Sequence, residues 1–279
     1  LLRIFLSLVF VVMVFFALPL GARALWFVYQ GDAATGWSRA NWTSAGLLSP
    51  PSEASPALIR IYSARTGRWR GVVAHHSWIV VKEEGAARYS RFDKVGWGSP
   101  IRNDGWDPDG RWFSNLPETI VAIDGEEAAR LIPRIREAVE AYPYRGPRDY
   151  RAWPGPNSNT FVAYVAGEVP ELRTALPPTA LGKDWVPESF FIGPTISGTG
   201  LRVSVAGYAG ISIGWVEGVE LNLLGLVAGI DPRRVGIKLP GWGDLRISDL
   251  WSGQALAETA KSVTIKEKRA FEHPRKPAS

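Results

Sequence analysis

Two short segments of this 279-residue chain carry the side chains that could do chemistry. One is Ala74-His75-His76-Ser77-Trp78-Ile79-Val80-Val81, which puts two of the chain's three histidines at the head of an apolar, β-branched run. The other is Trp153-Pro-Gly-Pro-Asn157-Ser158-Asn159-Thr160-Phe161, a hydroxyl where an apolar helix should begin. A nucleophile at a helix N-terminus meets free N–H groups and the positive end of the backbone dipoles, and both favour developing negative charge. A histidine on a rigid strand nearby can take the hydroxyl proton, and a third group can fix its tautomer. These roles fall to Ser158 as nucleophile, His76 as base and Asp93 as orienter, with N–H groups beside Ser158 as oxyanion donors. Trp78, Trp153, Asn157 and Asn159 flank them as candidate substrate contacts.

Each residue also has a plainer role. Ser158 or Asn157 can cap the helix, since both types are preferred N-caps. His76 can be a hydrogen-bonded core histidine, and Asp93 a salt-bridged carboxylate. Alternation along a strand sends His75 and His76 to opposite faces, so at most one of them can face Ser158.

The chain has no cysteine, which excludes a thiol nucleophile and any cysteine-ligated zinc or iron–sulfur site. Three histidines are too few for a histidine-rich metal site, and neither metal nor cofactor is expected. Hydrophobic residues make up 46% and charged residues 21%, enough for a real core. The net charge of +5 is drawn largely from a C-terminal stretch with Lys261, Lys266, Lys268, Arg269, Arg275 and Lys276. It reads as a solvated tail, or as an attraction to anionic lipid or cell-wall polymer. Export makes nucleic acid an improbable partner.

Export is read from the first residues. Ile4 to Leu20 is apolar apart from Ser7, and Ala22-Arg23-Ala24 offers a cleavage site. The run suits either a signal peptide or an N-terminal anchor, which would place the folded part in a bacterial periplasm at the inner membrane.

The elements that must position the two segments follow from periodicity. Residues 57–63, 72–81, 88–97 and 118–123 read as strands, with a loop over 98–117. Asp124 and Glu127 suit a capping box for a helix through Tyr142, which Pro133 should kink. A helix starting near Ser158 is apolar nearly all round and should be buried. Two hairpins follow: 201–205 with 211–215, and 235–239 with 245–247. The expected class is α+β, a mostly antiparallel sheet packed on a buried helix with C-terminal β-hairpins. Its divisions are a leader (1–24), an irregular linker (25–56), the main domain (57–190), a hairpin extension (191–252) and a basic tail (253–279).

The order of these pieces resembles circularly permuted papain-like hydrolases, the PPPDE-type peptidases and permuted NlpC-type cell-wall enzymes. Those have a histidine-headed strand, a second strand, then Asn-Cys-Asn-x-Phe opening a buried helix. Here His76-Ser77-Trp78 and Asn157-Ser158-Asn159-Thr160-Phe161 take those places over residues 70–170. The resemblance implies Ser158 in the position of the nucleophilic cysteine and His76 in that of the base. Serine ionises far less readily than cysteine, so it would need a well-aligned base and oxyanion donors. Over its length the chain also resembles an uncharacterised proteobacterial family of exported proteins of unknown function. Arg60-Ile-Tyr-Ser-Ala-Arg-Thr-Gly67, His76 to Val81, Trp153 to Phe161 and Gly214-Trp-Val-Glu-Gly218 carry that resemblance.

Two functions meet these expectations. One is an amide or ester hydrolase or acyltransferase acting on cell-wall peptide or lipid-linked acyl groups. The other is a non-catalytic envelope binding or scaffold protein. The 13 tryptophans serve either, as core and anchors or as the walls of a groove for sugar rings or acyl chains.

Overall fold

A computed structural model describes residues 2–30 and 36–248; the basic tail lies outside them. The class is α+β, with two antiparallel sheets and few helices.

The first sheet has the order β4-β3-β2-β1-β5: Ile101–Asn103, Ser90–Lys94, His75–Lys82, Leu58–Arg65 and Glu118–Asp124. Every neighbouring pair is antiparallel. β2 is buried along its whole length, as its apolar character on both faces requires. Ile59, Ile61, Ile79 and Val81 point into the larger core, which also holds the apolar sides of α3 (Glu126–Ala141) and α4 (Ser158–Glu168). Tyr62, Trp78 and Val80 point the other way, into a smaller core closed by Val95 and Trp112. The long 98–117 segment therefore covers one face of the sheet, and contains β4 besides.

Asp124 does not cap α3. It ends β5 and pairs with Arg60 at 2.8 Å, while Gly125, at φ 72°, is the residue that precedes the helix. α3 continues through Pro133.

The second sheet is a seven-stranded meander: β6 (Phe191–Pro194), β7 (Gly200–Val205), β8 (Ala209–Gly214), β9 (Gly218–Leu223), β10 (Leu226–Asp231), β11 (Gly236–Leu239) and β12 (Gly243–Arg246). The two expected hairpins are β7–β8 and β11–β12, and β9 and β10 join them into one sheet.

The N-terminal apolar segment is helical to Gln30, beyond the proposed cleavage site: α1 (Leu2–Val12), a π-helical turn (Met13–Ala17) and α2 (Leu18–Gln30). Leu2–Tyr29 is long and apolar enough to cross a membrane, as a signal sequence also is. The end of the segment is tied to the folded part. The indole N–H of Trp242 donates to Pro19 O at 2.8 Å, and the Arg23 guanidinium lies 5.7 Å from the Trp242 ring. Gly241, at φ 76°, makes this approach possible, because a Cβ there would sit 2.7 Å from Val72 O and 3.1 Å from Arg23 Cγ.

Candidate active site

The sheet separates the residues expected to act together. His76 and Asp93 do meet, Nε2 to Oδ1 at 2.8 Å, but on the small-core face. Asp93 also accepts from Arg91 Nε at 2.7 Å and Nη2 at 2.9 Å. The Arg91 guanidinium lies 4.2 Å from the Trp78 ring, and Trp112 stacks on His76 at 3.8 Å and 8°. Burial lowers the His76 pKa, outweighing the raising effect of Asp93. Burial alone would raise Asp93, but the Arg91 charge and the hydrogen bonds from His76 and Arg91 hold it lowered. The cluster is thus a neutral imidazole donating to a carboxylate that is already paired with arginine. Trp78 is fully buried, with its Nε1–H on Pro108 O at 2.9 Å, so it belongs to the core and not to a substrate surface.

Ser158 lies at the other face, on the helix that packs against β2 from the larger core. There the histidine is His75. Its strand partners on that face are polar: Ser77 Oγ donates to Ser63 Oγ at 3.0 Å, and Ser63 Oγ lies 3.4 Å from His75 Nδ1. His75 Nε2 is buried and has no hydrogen-bond partner among the described residues. Burial, with the positive charges of Arg65 and Arg23, holds its pKa well below the ordinary histidine value. The ring is therefore neutral at physiological pH.

The start of α4 is fixed by Asn157, not Ser158. Asn157 Oδ1 accepts from Asn159 N at 2.9 Å and Thr160 N at 3.1 Å, and Thr160 Oγ1 accepts from Asn157 N at 3.2 Å, a complete capping box. Asn157 Nδ2 donates to Ala152 O at 3.1 Å and Leu181 O at 2.9 Å. Gly182, at φ 91°, leaves room for that amide, since a Cβ would collide with Asn157 Nδ2. Asn159 Nδ2 donates to His75 O at 2.9 Å and Leu181 O at 2.9 Å, which ties the helix to the histidine strand and fixes the amide orientation. His75 N–H in turn donates to Thr179 O at 2.9 Å.

Among the described residues, His75 Nε2, Asn159 Oδ1 and Thr179 Oγ1 in this region are buried without hydrogen-bond partners. Ser158 Oγ has no hydrogen-bond partner among the described residues, and Ser158 N–H finds no acceptor among them. Unsatisfied buried polar atoms are uncommon and call for a specific cause. Ser158 and His75 are nearly closed off, at 3% and 4% exposure. Trp153 is 47% exposed, with Nε1–H on Leu224 O at 2.9 Å and its ring edge-on to Tyr208.

No metal-binding cluster of His, Asp and Glu is present among the described residues.

Residues 56–185, which span the first sheet, α3, α4 and this site, match the model of a family described as a protein of unknown function (DUF3750). No curated protein and no solved structure matches the chain.

Proposed function

We propose that the chain is a membrane-anchored envelope protein whose first sheet carries a serine-dependent acyl-transfer site, with Ser158 as nucleophile and His75 as base. The observation that carries it is the buried Nε2 of His75, which has no hydrogen-bond partner among the described residues and lies on the face of β2 that α4 covers. Capping does not account for Ser158, because Asn157 does that work. Ser63 takes the orienting role given to Asp93. When Nδ1–H donates to Ser63 Oγ, Nε2 carries the lone pair a base needs. In the reaction Ser158 Oγ bonds to an acyl carbon and its proton passes to His75 Nε2. The tetrahedral oxyanion faces Ser158 N–H, and the proton then goes to the departing amine or alcohol as the acyl bond breaks. Water or a second acceptor releases the acyl group. A histidine-bearing strand, an antiparallel partner and a buried helix opening on Asn-Ser-Asn-Thr-Phe fit the permuted papain-like plan. Cell-wall peptide or a lipid-linked acyl group in a bacterial periplasm is the substrate class we favour.

A second reading, a non-catalytic envelope binding or scaffold domain, is favoured by the closure of the site, since Ser158 and His75 are both nearly buried. Ser158→Cys separates the two. The chain has no other cysteine, so its thiol can be followed alone. Beside a helix N-terminus and a usable imidazole, the thiol pKa should fall below about 7.5 and alkylation by iodoacetamide should be fast at neutral pH. Slow alkylation with an ordinary or raised thiol pKa supports the scaffold.

A further inference from the structure

The second sheet is turned inside out. Its register places Leu201 opposite Ile213, Ile211 opposite Leu221, and Ile230 opposite Ile237, all on one face. These side chains are exposed, from 41% at Ile211 to 66% at Leu201, while Val203, Val219 and Leu223 on the same face are partly covered. The reverse face is polar and buried. Glu220 there binds Lys183 Nζ at 2.6 Å and Lys238 Nζ at 2.5 Å, and Lys183 also binds Asp184 at 2.9 Å. Burial alone would lower Lys183, but the two carboxylates hold its pKa raised. A sheet facing water on one side normally shows its polar residues there. A contiguous apolar face this wide marks a contact with something apolar.

We infer that this face seats on the lipid bilayer. The N-terminal apolar helix points to that occupant. Its π-helical turn contacts β10, Phe16 in that turn is buried, and Ala228 is the buried exception on the apolar side of β10. The membrane-length helix and the apolar sheet face are thus neighbours in one apolar layer. The rim carries the groups that suit the headgroup region. Trp215 is exposed at the β8–β9 turn with the Arg233 guanidinium 5.7 Å from its ring, and Arg233, Arg234 and Arg246 line a shallow groove with Val235 and Ile247. Asp231 and Asp244 lie within ion-pair reach of these arginines. The sheet also abuts the site, through Trp153 on Leu224 O and Gly207 against Trp185. Seating the sheet would hold the Ser158 region beside the membrane surface.

The absence of cysteine makes the test direct. Leu201→Cys, Ile213→Cys and Ile237→Cys, with Glu84→Cys as a water-exposed control, are labelled singly with an environment-sensitive fluorophore. Each full-length protein is reconstituted into phosphatidylcholine–phosphatidylglycerol vesicles. The three sheet labels should be quenched by nitroxide-bearing lipid chains and lose the iodide quenching seen at position 84. Iodide quenching equal to the control overturns the inference. So does shielding from both quenchers, which would mean that a second copy or residues 249–279 cover the face. Three independent positions keep the result decisive if one variant fails to fold.

Discussion

Removal of the Asn157 side chain should weaken the protein far more than removal of the neighbouring Ser158 hydroxyl. Asn157→Ala removes the acceptor for Asn159 N and Thr160 N, a loss of about 0.5–2 kcal/mol for an N-cap. It also withdraws Nδ2 from two carbonyls. Leu181 O keeps the amide of Asn159, but Ala152 O loses its donor, which adds roughly 1–3 kcal/mol if that oxygen is cut off from water. The sum is about 1.5–5 kcal/mol. Ser158→Ala removes a hydroxyl with no described partner and should stay within about 0.5 kcal/mol of the parent. Urea unfolding of the full chain in detergent, followed by tryptophan fluorescence, measures both. A Ser158→Ala loss equal to that of Asn157→Ala would refute the reasoning, because the hydroxyl would then be structural and not held free for chemistry.

Stability should depend on acid through both strand histidines. Their folded pKa values lie below the ordinary value near 6.5, so unfolding takes up protons and stability, complete above about pH 6.5, falls as pH drops below it. Each histidine should contribute a slope approaching about 1.4 kcal/mol per pH unit, and His75→Gln should remove one such contribution from the unfolding profile; an unchanged profile would contradict the burial of a neutral His75. Asp93→Ala should cost about 3–5 kcal/mol because it leaves the Arg91 guanidinium buried without its carboxylate, whereas Asp93→Ala combined with Arg91→Met should recover much of that loss. Thermal or urea denaturation of the two variants checks this, and a mild Asp93→Ala effect would mean that Arg91 reaches another anion or water.

Much of the fold was legible from the sequence. The four strands of the main domain, the helix beginning at Ser158 and both C-terminal hairpins follow from period and turn residues, and the structure contains each of them. The choice of histidine was not legible. β2 is apolar on both faces, Ile79 and Val81 on one and Trp78 and Val80 on the other, so alternation shows that His75 and His76 diverge but not which meets α4. A signal existed in the parity of the polar residues. His75 shares its face with Ser77 and, across the strand pair, with Ser63, whereas His76 shares its face with tryptophan. Asp93 was legible as the partner of His76 from its place on the adjacent strand, and the two do meet at 2.8 Å. In the second sheet, residues 219–230 form an apolar run that is too short to span a membrane and contains Glu220 and Asn222. Leu224-Gly225, a turn with both residues at positive φ, makes them β9 and β10 instead. Alternation there gives the strands but not the side that faces outward, which is set by the buried charges of Lys183 and Glu220 and could not be read from period alone.

The central claim is that Ser158 and His75 form one reactive pair. The full-length protein is treated with a fluorophosphonate, and the adduct is located by peptide mass spectrometry in the parent, His75→Ala and His76→Ala. The expected result is modification at Ser158 in the parent, its loss in His75→Ala and its retention in folded His76→Ala. No adduct at Ser158 in the parent, or an adduct indifferent to His75 and abolished with His76, would contradict it.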